Sequence, residues 1–197
     1  MDVKDLVINR RSIYGLGNKQ ILPEKEISAL VNHCLKYAPS AFNSQSSRIA
    51  LLYGNSYQKF WEIVLEELKK VTPEDRFALT KNKITSFAQG LGTVLFFEDR
   101  QSVSALQAKY PLYAKNFDVW SEHGNAMLQY MVWQTFAARG IGASLQHYNP
   151  LIDEKVEKEF GLPPSWRLIA QMPFGSITTP PDDKSFLSIE ERLKVLY

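Results

Sequence analysis

The sequence predicts an α+β (mixed α/β) domain in which helices outnumber the strands of a small sheet. Three observations carry that expectation: long stretches where apolar residues recur at helical spacing, strand-like runs that are few and short, and glycine turn signals bounding each run. At 197 residues, 45% of them hydrophobic, the chain can bury roughly two-thirds of its unfolded surface in one core. Residues 1–197 are therefore expected to form a single domain.

Taken in order, Val3, Leu6 and Val7 give a short amphipathic start. After Pro23, which suits a first helical turn, Ile27, Leu30, Val31, Cys34 and Leu35 fall at i, i+3, i+4, i+7 and i+8 and predict a helix with one buried face. Ile49 to Tyr53 reads as a strand that stops at the turn signal Gly54-Asn55. From Ser56, the expected N-cap, Phe60, Trp61, Val64, Leu65 and Leu68 repeat the helical pattern as far as Pro73. Another helix leads to the strand Thr93 to Phe97, entered through Gly90-Leu91-Gly92. The longest helix runs from about Asn116 to Arg139 and stops at Gly140. Its apolar residues occupy more than one face, so it is expected at the centre of the fold and in a subunit interface. Short strands at Ala143 to Leu145 and Arg167 to Met172, with a helix between them, complete the order.

Residues 178–185 (TTPPDDKS) are polar and carry two prolines, which excludes a central strand or helix. Apolar residues then return at Phe186, Leu187, Ile189, Leu193, Val195 and Leu196. A tail of this composition is expected to dock, on its own domain or on a partner subunit.

Several function classes are excluded at this level. Cys34 is the single cysteine, so no intrachain disulfide and no cysteine metal cluster can form, and a reducing compartment fits best. The 23 Lys+Arg against 21 Asp+Glu are spread along the chain, so no nucleic-acid partner is expected. No apolar run approaches a bilayer span and MDVKDLVINRRS lacks a signal peptide's apolar stretch, which predicts a soluble cytoplasmic protein with no membrane partner. His33, His123 and His147 are scattered and neither HExxH nor CxxC occurs, so no metal is expected. There is no Gly-x-Ser-x-Gly elbow and no Walker A segment. Gly140-Ile141-Gly142 lacks the third glycine of a dinucleotide fingerprint, because Leu145 stands in its place. Cys34 itself falls on the apolar helix face as a small core residue, with His33 pointing away from that face into solvent. What composition leaves open is the aromatic share, 12%, which serves either packing or a site for a flat ligand.

Three segments carry candidate chemistry. Arg10-Arg11-Ser12 places two guanidinium forks and a hydroxyl in a row, a set that matches phosphate oxygens. Pro39 to Ser47 leaves the second helix as a loop of small residues with two amides, Asn43 and Gln45, which can donate and accept along the edge of a heteroaromatic ring. Leu145-Gln146-His147-Tyr148-Asn149-Pro150 ends a short strand in polar and aromatic groups, where binding residues often gather.

In this order the segments resemble the nitroreductase family of flavin mononucleotide (FMN) enzymes: Arg-Arg-Ser near the N-terminus, a Pro-Ser-x-x-Asn-x-Gln loop after the second helix, here Pro39 to Gln45, and a basic tail, here Arg192 and Lys194. Two departures, Ile13-Tyr14 where the family continues to Arg or Lys, and Gln45-Ser46-Ser47-Arg48 where it has Gln-Pro-Trp, resemble the compact branch that includes the yeast fatty acid repression mutant protein and the copper-induced nitroreductase of lactococci.

The resemblance implies a nitroreductase-like fold with a small, mostly antiparallel sheet, and a homodimer with FMN at each of two interface sites. The extension from about 178 to 197 would be exchanged with the dimer partner. Arg10, Arg11, Ser12 and Tyr14, with Arg192 and Lys194, would lie on the phosphate side. Ser40, Ala41, Phe42, Asn43 and Gln45, from the other subunit, would border the ring or ribityl chain. Leu145, Gln146, His147 and Tyr148 would pass the redox-active edge, a backbone N–H there meeting the flavin N5, with no catalytic side chain. Phe42, Tyr148, Tyr110, Tyr113, Phe117 and Trp120 are candidate walls, the last four equally suited to core packing. The implied activity is NAD(P)H-dependent reduction of nitroaromatics, quinones or related small-molecule electron acceptors, by alternating use of one flavin face. The alternative is a flavin-binding regulatory or stress-response protein with incidental turnover, which the departures at Tyr14 and Ser46-Ser47 motivate. A small α/β domain with no flavin is the third reading.

Overall fold

In the computed structural model, which describes residues 2–197, the apolar run at Thr93–Phe97 lies in β3 (Gly92–Asp99), a strand buried along its whole length. Side chains alternate across a strand, and here both faces are apolar. Val94 and Phe96 enter one core while Leu95 and Phe97 enter another. The first core is closed by Ile27, Val31 and Cys34 of α2 (Glu24–Tyr37) and by Leu128, Val132 and Phe136 of α6 (Ala114–Ala138). The second is closed by Phe60, Trp61 and Val64 of α3 (Gly54–Val71), Ile84 and Phe87 of α4 (Glu74–Phe87), and Val156 of α7 (Asp153–Phe160). Helices thus cover both faces of one sheet, and the two-sided burial explains why β3 reads as a continuous apolar run.

The sheet is antiparallel throughout. β2 (Ser47–Tyr53) pairs with β3, and β3 pairs with β5 (Trp166–Ile177). The far edge of β5 is shared by β4 (Gly142–Ala143) and β1 (Leu16–Gly17), with an isolated bridge between Gln146 and Gln171. Gly175 is required where β1 crosses, since a Cβ there would overlap the Gly17 carbonyl.

Four sequence expectations are corrected. Ser56 is not an N-cap: α3 begins at Gly54, whose φ of 53° turns β2 directly into the helix, and Tyr53 occupies the cap position. The strand expected to end at Met172 continues through Pro173 to Ile177. Pro173 is tolerated because its carbonyl accepts from Ser144 N–H at 3.4 Å, so its missing N–H faces the side held only by the two-residue β4. The strand expected over Ala143–Leu145 is regular only at Gly142–Ala143, pairing again at Gln146. The predicted order also lacked two elements, β1 and α5 (Arg100–Lys109). α5 buries only Val103 and starts where Asp99 accepts from Gln101 N–H at 3.1 Å, a cap with no apolar stripe behind it.

Both chain ends lie on the surface. α1 (Val3–Asn9) buries no residue, and Phe186, Leu187, Ile189, Leu193, Val195 and Leu196 are all exposed. Among the described residues, nothing covers the apolar side chains of the tail.

Candidate functional site

Arg10, Arg11 and Ser12 follow α1 and are half-buried. The Arg10 guanidinium lies 4.4 Å from the centroid of the Trp133 ring on α6, a cation–π contact that holds it without neutralising it. Arg11 donates to the Asp182 carbonyl. The next residue in register, Ile13, donates its N–H to the Ala143 carbonyl at 2.9 Å, and the Trp133 indole donates to the same oxygen at 3.1 Å. This pair of bonds ties the arginine segment to β4. A cleft of about 370 Å³ opens here, lined by Arg10, Arg11, Ser12, Tyr14 and the linker Thr179–Lys184. Its cations are Arg10, Arg11 and Lys184, against the carboxylates of Asp182 and Asp183. Arg192 and Lys194 are exposed and do not line it.

Ala143 also leads into the strand-end segment. Gln146 lies three residues on, roughly 10 Å of extended chain. Gln146 is buried and exchanges both backbone bonds with Gln171, N–H to carbonyl at 2.7 Å and carbonyl from N–H at 2.9 Å. Tyr148 packs edge-on to Trp61, ring centroids 6.0 Å apart, and its hydroxyl is buried with no partner. Burial, reinforced by the nearby Tyr14 phenol, pushes the Tyr148 pKa up to about 12, so the group is a neutral donor across the physiological range. His147 is exposed, Leu145 half-buried, and Tyr14, 56% exposed, faces Phe87 at 6.3 Å.

The Pro39–Gln45 loop lies elsewhere. Phe42, Asn43 and Gln45 have φ of 56°, 49° and 47°, a left-handed concentration that costs energy in non-glycine residues. Local bonds hold it: Asn43 N–H to Ser40 carbonyl at 3.0 Å, Ser44 N–H to Ala41 carbonyl at 3.0 Å, and Gln45 N–H to the Ser40 hydroxyl at 3.0 Å. Arg48 donates to the Gln45 carbonyl at 2.6 Å and pairs with Asp99 at 2.9 Å. Phe42, half exposed, packs against Tyr110, Tyr113, Phe117 and Trp120 at centroid distances of 5.0 to 6.0 Å, nearly parallel to Trp120. The expected Ser40 hydroxyl is therefore occupied within the loop, whereas Asn43 and Gln45 present exposed side chains. Behind the loop, Glu98 is fully buried and accepts from Ser47 at 2.5 Å and Asn125 at 2.9 Å, with its second oxygen unpartnered.

The expected residues thus form two groups. Arg10–Tyr14 and Leu145–Tyr148 are brought together through β4; Ser40–Gln45 packs near Gly124 and Trp120 of α6, while Arg10 packs on Trp133. The two tryptophans are thirteen positions apart on the helix, roughly 20 Å at 1.5 Å per residue. Sequence reasoning missed Trp133, Gln171 and the Glu98–Asn125 pair; the signal for Gln171 and Glu98 is a polar residue inside an apolar strand. Cys34 is buried with its thiol pKa raised by burial, as a core residue should be. Among the described residues no cluster of His, Cys, Asp or Glu could hold a metal, and no helix is long and apolar enough to cross a membrane.

An antiparallel sheet between two helical layers, with an arginine segment tied to a strand end, defines the class of α+β fold found in nitroreductase structures. CinD from Lactococcus lactis, solved in complex with nicotinic acid, superposes with a TM-score of 0.93 at 42% identity, covering 100% of both chains. The same protein has been solved with 4-nitrophenol. In Saccharomyces cerevisiae, HBN1 is 32% identical over 90% of this chain and 89% of its own, and the nitroreductase FRM2 is 28% identical over 92% and 91%. The profile of the nitroreductase family matches residues 7–176, and the chain belongs to that family.

Proposed function

We propose that the protein is a homodimeric, FMN-dependent NAD(P)H oxidoreductase that reduces nitroaromatics, quinones or related electrophiles. The observation that carries this reading is the arrangement of the two groups at opposite ends of α6. Cations lie at one end and exposed amides at the other, so a second copy of the chain is needed to bring them to one ligand.

The donor set fits FMN. Arg10, Arg11 and Ser12 would hold its phosphate, Arg10 kept extended by Trp133. Arg192 and Lys194 would join them from a tail that crosses to the partner, where its apolar residues would also be covered. Asn43 and Gln45 of the partner subunit would meet the polar edge of the ring or the ribityl chain, with Ser40, Ala41 and Phe42 bordering it. Of the N–H groups of Gln146, His147 and Tyr148, only that of His147 has no partner among the described residues, which leaves it for the redox-active edge. When bound, the flavin supplies two-electron chemistry by accepting hydride and passing electrons on. Phe42, Tyr148 and the aromatic group around Trp120 would wall the acceptor and exclude water.

The visible spectrum of the purified protein tests the reading. A yellow preparation, bleached by NADH or NADPH and reoxidised by 4-nitrophenol or a quinone, is the expected result. A colourless protein with no affinity for added FMN overturns it.

A further inference from the structure

Gln171 stands in the apolar run of β5 between Ala170 and Met172 and is fully buried. A buried side-chain amide is costly unless its polar atoms are satisfied, and here they serve one segment. Oε1 accepts from Tyr148 N–H at 2.7 Å, and Nε2 donates to Asn149 Oδ1 at 3.2 Å. The Gln171 backbone meanwhile exchanges two bonds with Gln146. A single residue therefore grips Gln146, Tyr148 and Asn149. The orientation of its amide is fixed, because Tyr148 N–H can only donate and requires the oxygen.

We infer that Gln171 is a positioning residue that selects the His147 N–H as the flavin-facing donor. Successive N–H groups of an extended chain point to opposite sides. With those of Gln146 and Tyr148 both directed at Gln171, that of His147 between them is turned outward from the sheet. An apolar side chain of equal length at 171 would leave the buried Tyr148 N–H without an acceptor, and the segment would rotate to find one, turning His147 with it. The role rests on the FMN reading above, but the clamp exists in the flavin-free chain and can be tested there.

Amide hydrogen exchange of the full flavin-free protein should show Tyr148 protected and His147 fast, with added FMN slowing His147. Gln171→Met, which preserves volume, is expected to abolish Tyr148 protection. In the FMN-loaded protein it should move the flavin midpoint potential and slow flavin reduction by about tenfold, the equivalent of one hydrogen bond, with the nicotinamide KM unchanged. Gln171→Glu retains the acceptor and should restore Tyr148 protection. If Gln171→Met does not fold, Asn149→Ala, which removes one of the two side-chain contacts at a half-buried position, should reduce Tyr148 protection in part. Tyr148 remaining protected in both Gln171→Met and Asn149→Ala, or an unchanged potential and rate in FMN-loaded Gln171→Met, overturns the inference. Failure of the wild type to bind FMN overturns the parent reading and the flavin-facing role with it, and is distinguished by the exchange pattern of the flavin-free chain.

Discussion

The two ends of α6 are built by opposite means. At the Trp133 end, Arg10–Ser12 is held by residues far away in sequence, Ala143, Trp133 and Asp182, and keeps its cations largely free. At the Trp120 end, Pro39–Gln45 is held mostly by its own atoms, with three left-handed residues and a serine hydroxyl turned back on the loop, and Phe42 packed on distant aromatics. The first end depends on the whole fold, and the second carries its shape with it. On the dimeric reading proposed above, the difference would divide labour between two copies: one end would supply charge on a scaffold, the other a preformed edge of amide groups.

The change that would strain this contrast most is removal of residues 178–197. Sedimentation should then report a monomer that retains no FMN, because on the proposed reading the tail would supply both apolar surface to the partner and two cations to the phosphate; a truncated chain that still dimerises and holds flavin would disconnect the tail from the site. Next in size is Arg10→Ala, expected to weaken FMN binding by about 1.5–3 kcal/mol, the range of a charge-assisted hydrogen bond. Calorimetric titration measures it, and unchanged affinity would take Arg10 out of the phosphate group.

Ser40→Ala probes the other end. It removes the acceptor of Gln45 N–H and should cost about 1 kcal/mol in denaturant stability, while slowing turnover more than it weakens FMN binding. An equal loss in both would make the loop a plain flavin-binding element. The smallest effect is in pH. The Tyr148 phenol stays neutral in the native state to about 12, whereas in the unfolded chain it ionises near ~10. Its contribution is therefore fully present below pH ~10 and lost as pH rises toward 12. Phenolate absorbance should show two late-titrating tyrosines, Tyr57, pushed up further by burial, and Tyr148, of which Tyr148→Phe removes one; early titration of every tyrosine before unfolding would contradict the burial described.

The sequence made α2, α3 and α6 legible because each buries one or more stripes of apolar residues, and β3 legible because both of its faces are covered. It concealed α5, a polar helix with one buried valine, and β1, two residues that exist as a strand only because the end of β5 needs a partner. Within the site, the arginine segment and the Pro39–Gln45 loop were recognisable from local residue types. Gln171 was not, since its meaning lies in atoms of residues 146–149 that the fold brings to it. The same holds for Trp133, an aromatic at helical spacing whose indole and ring face serve Ala143 and Arg10.

The bare tail has a consequence for the life of the protein in a cell. A newly made copy that has not met another presents a proteolytic enzyme or a chaperone with an irregular ribbon bearing Phe186, Leu187, Leu193 and Leu196. If that ribbon is sheltered against a second copy, as proposed, the same residues would disappear from view. Steady-state abundance should then climb more steeply than the rate of synthesis, since crowding among nascent copies shortens the interval in which each one is open to degradation.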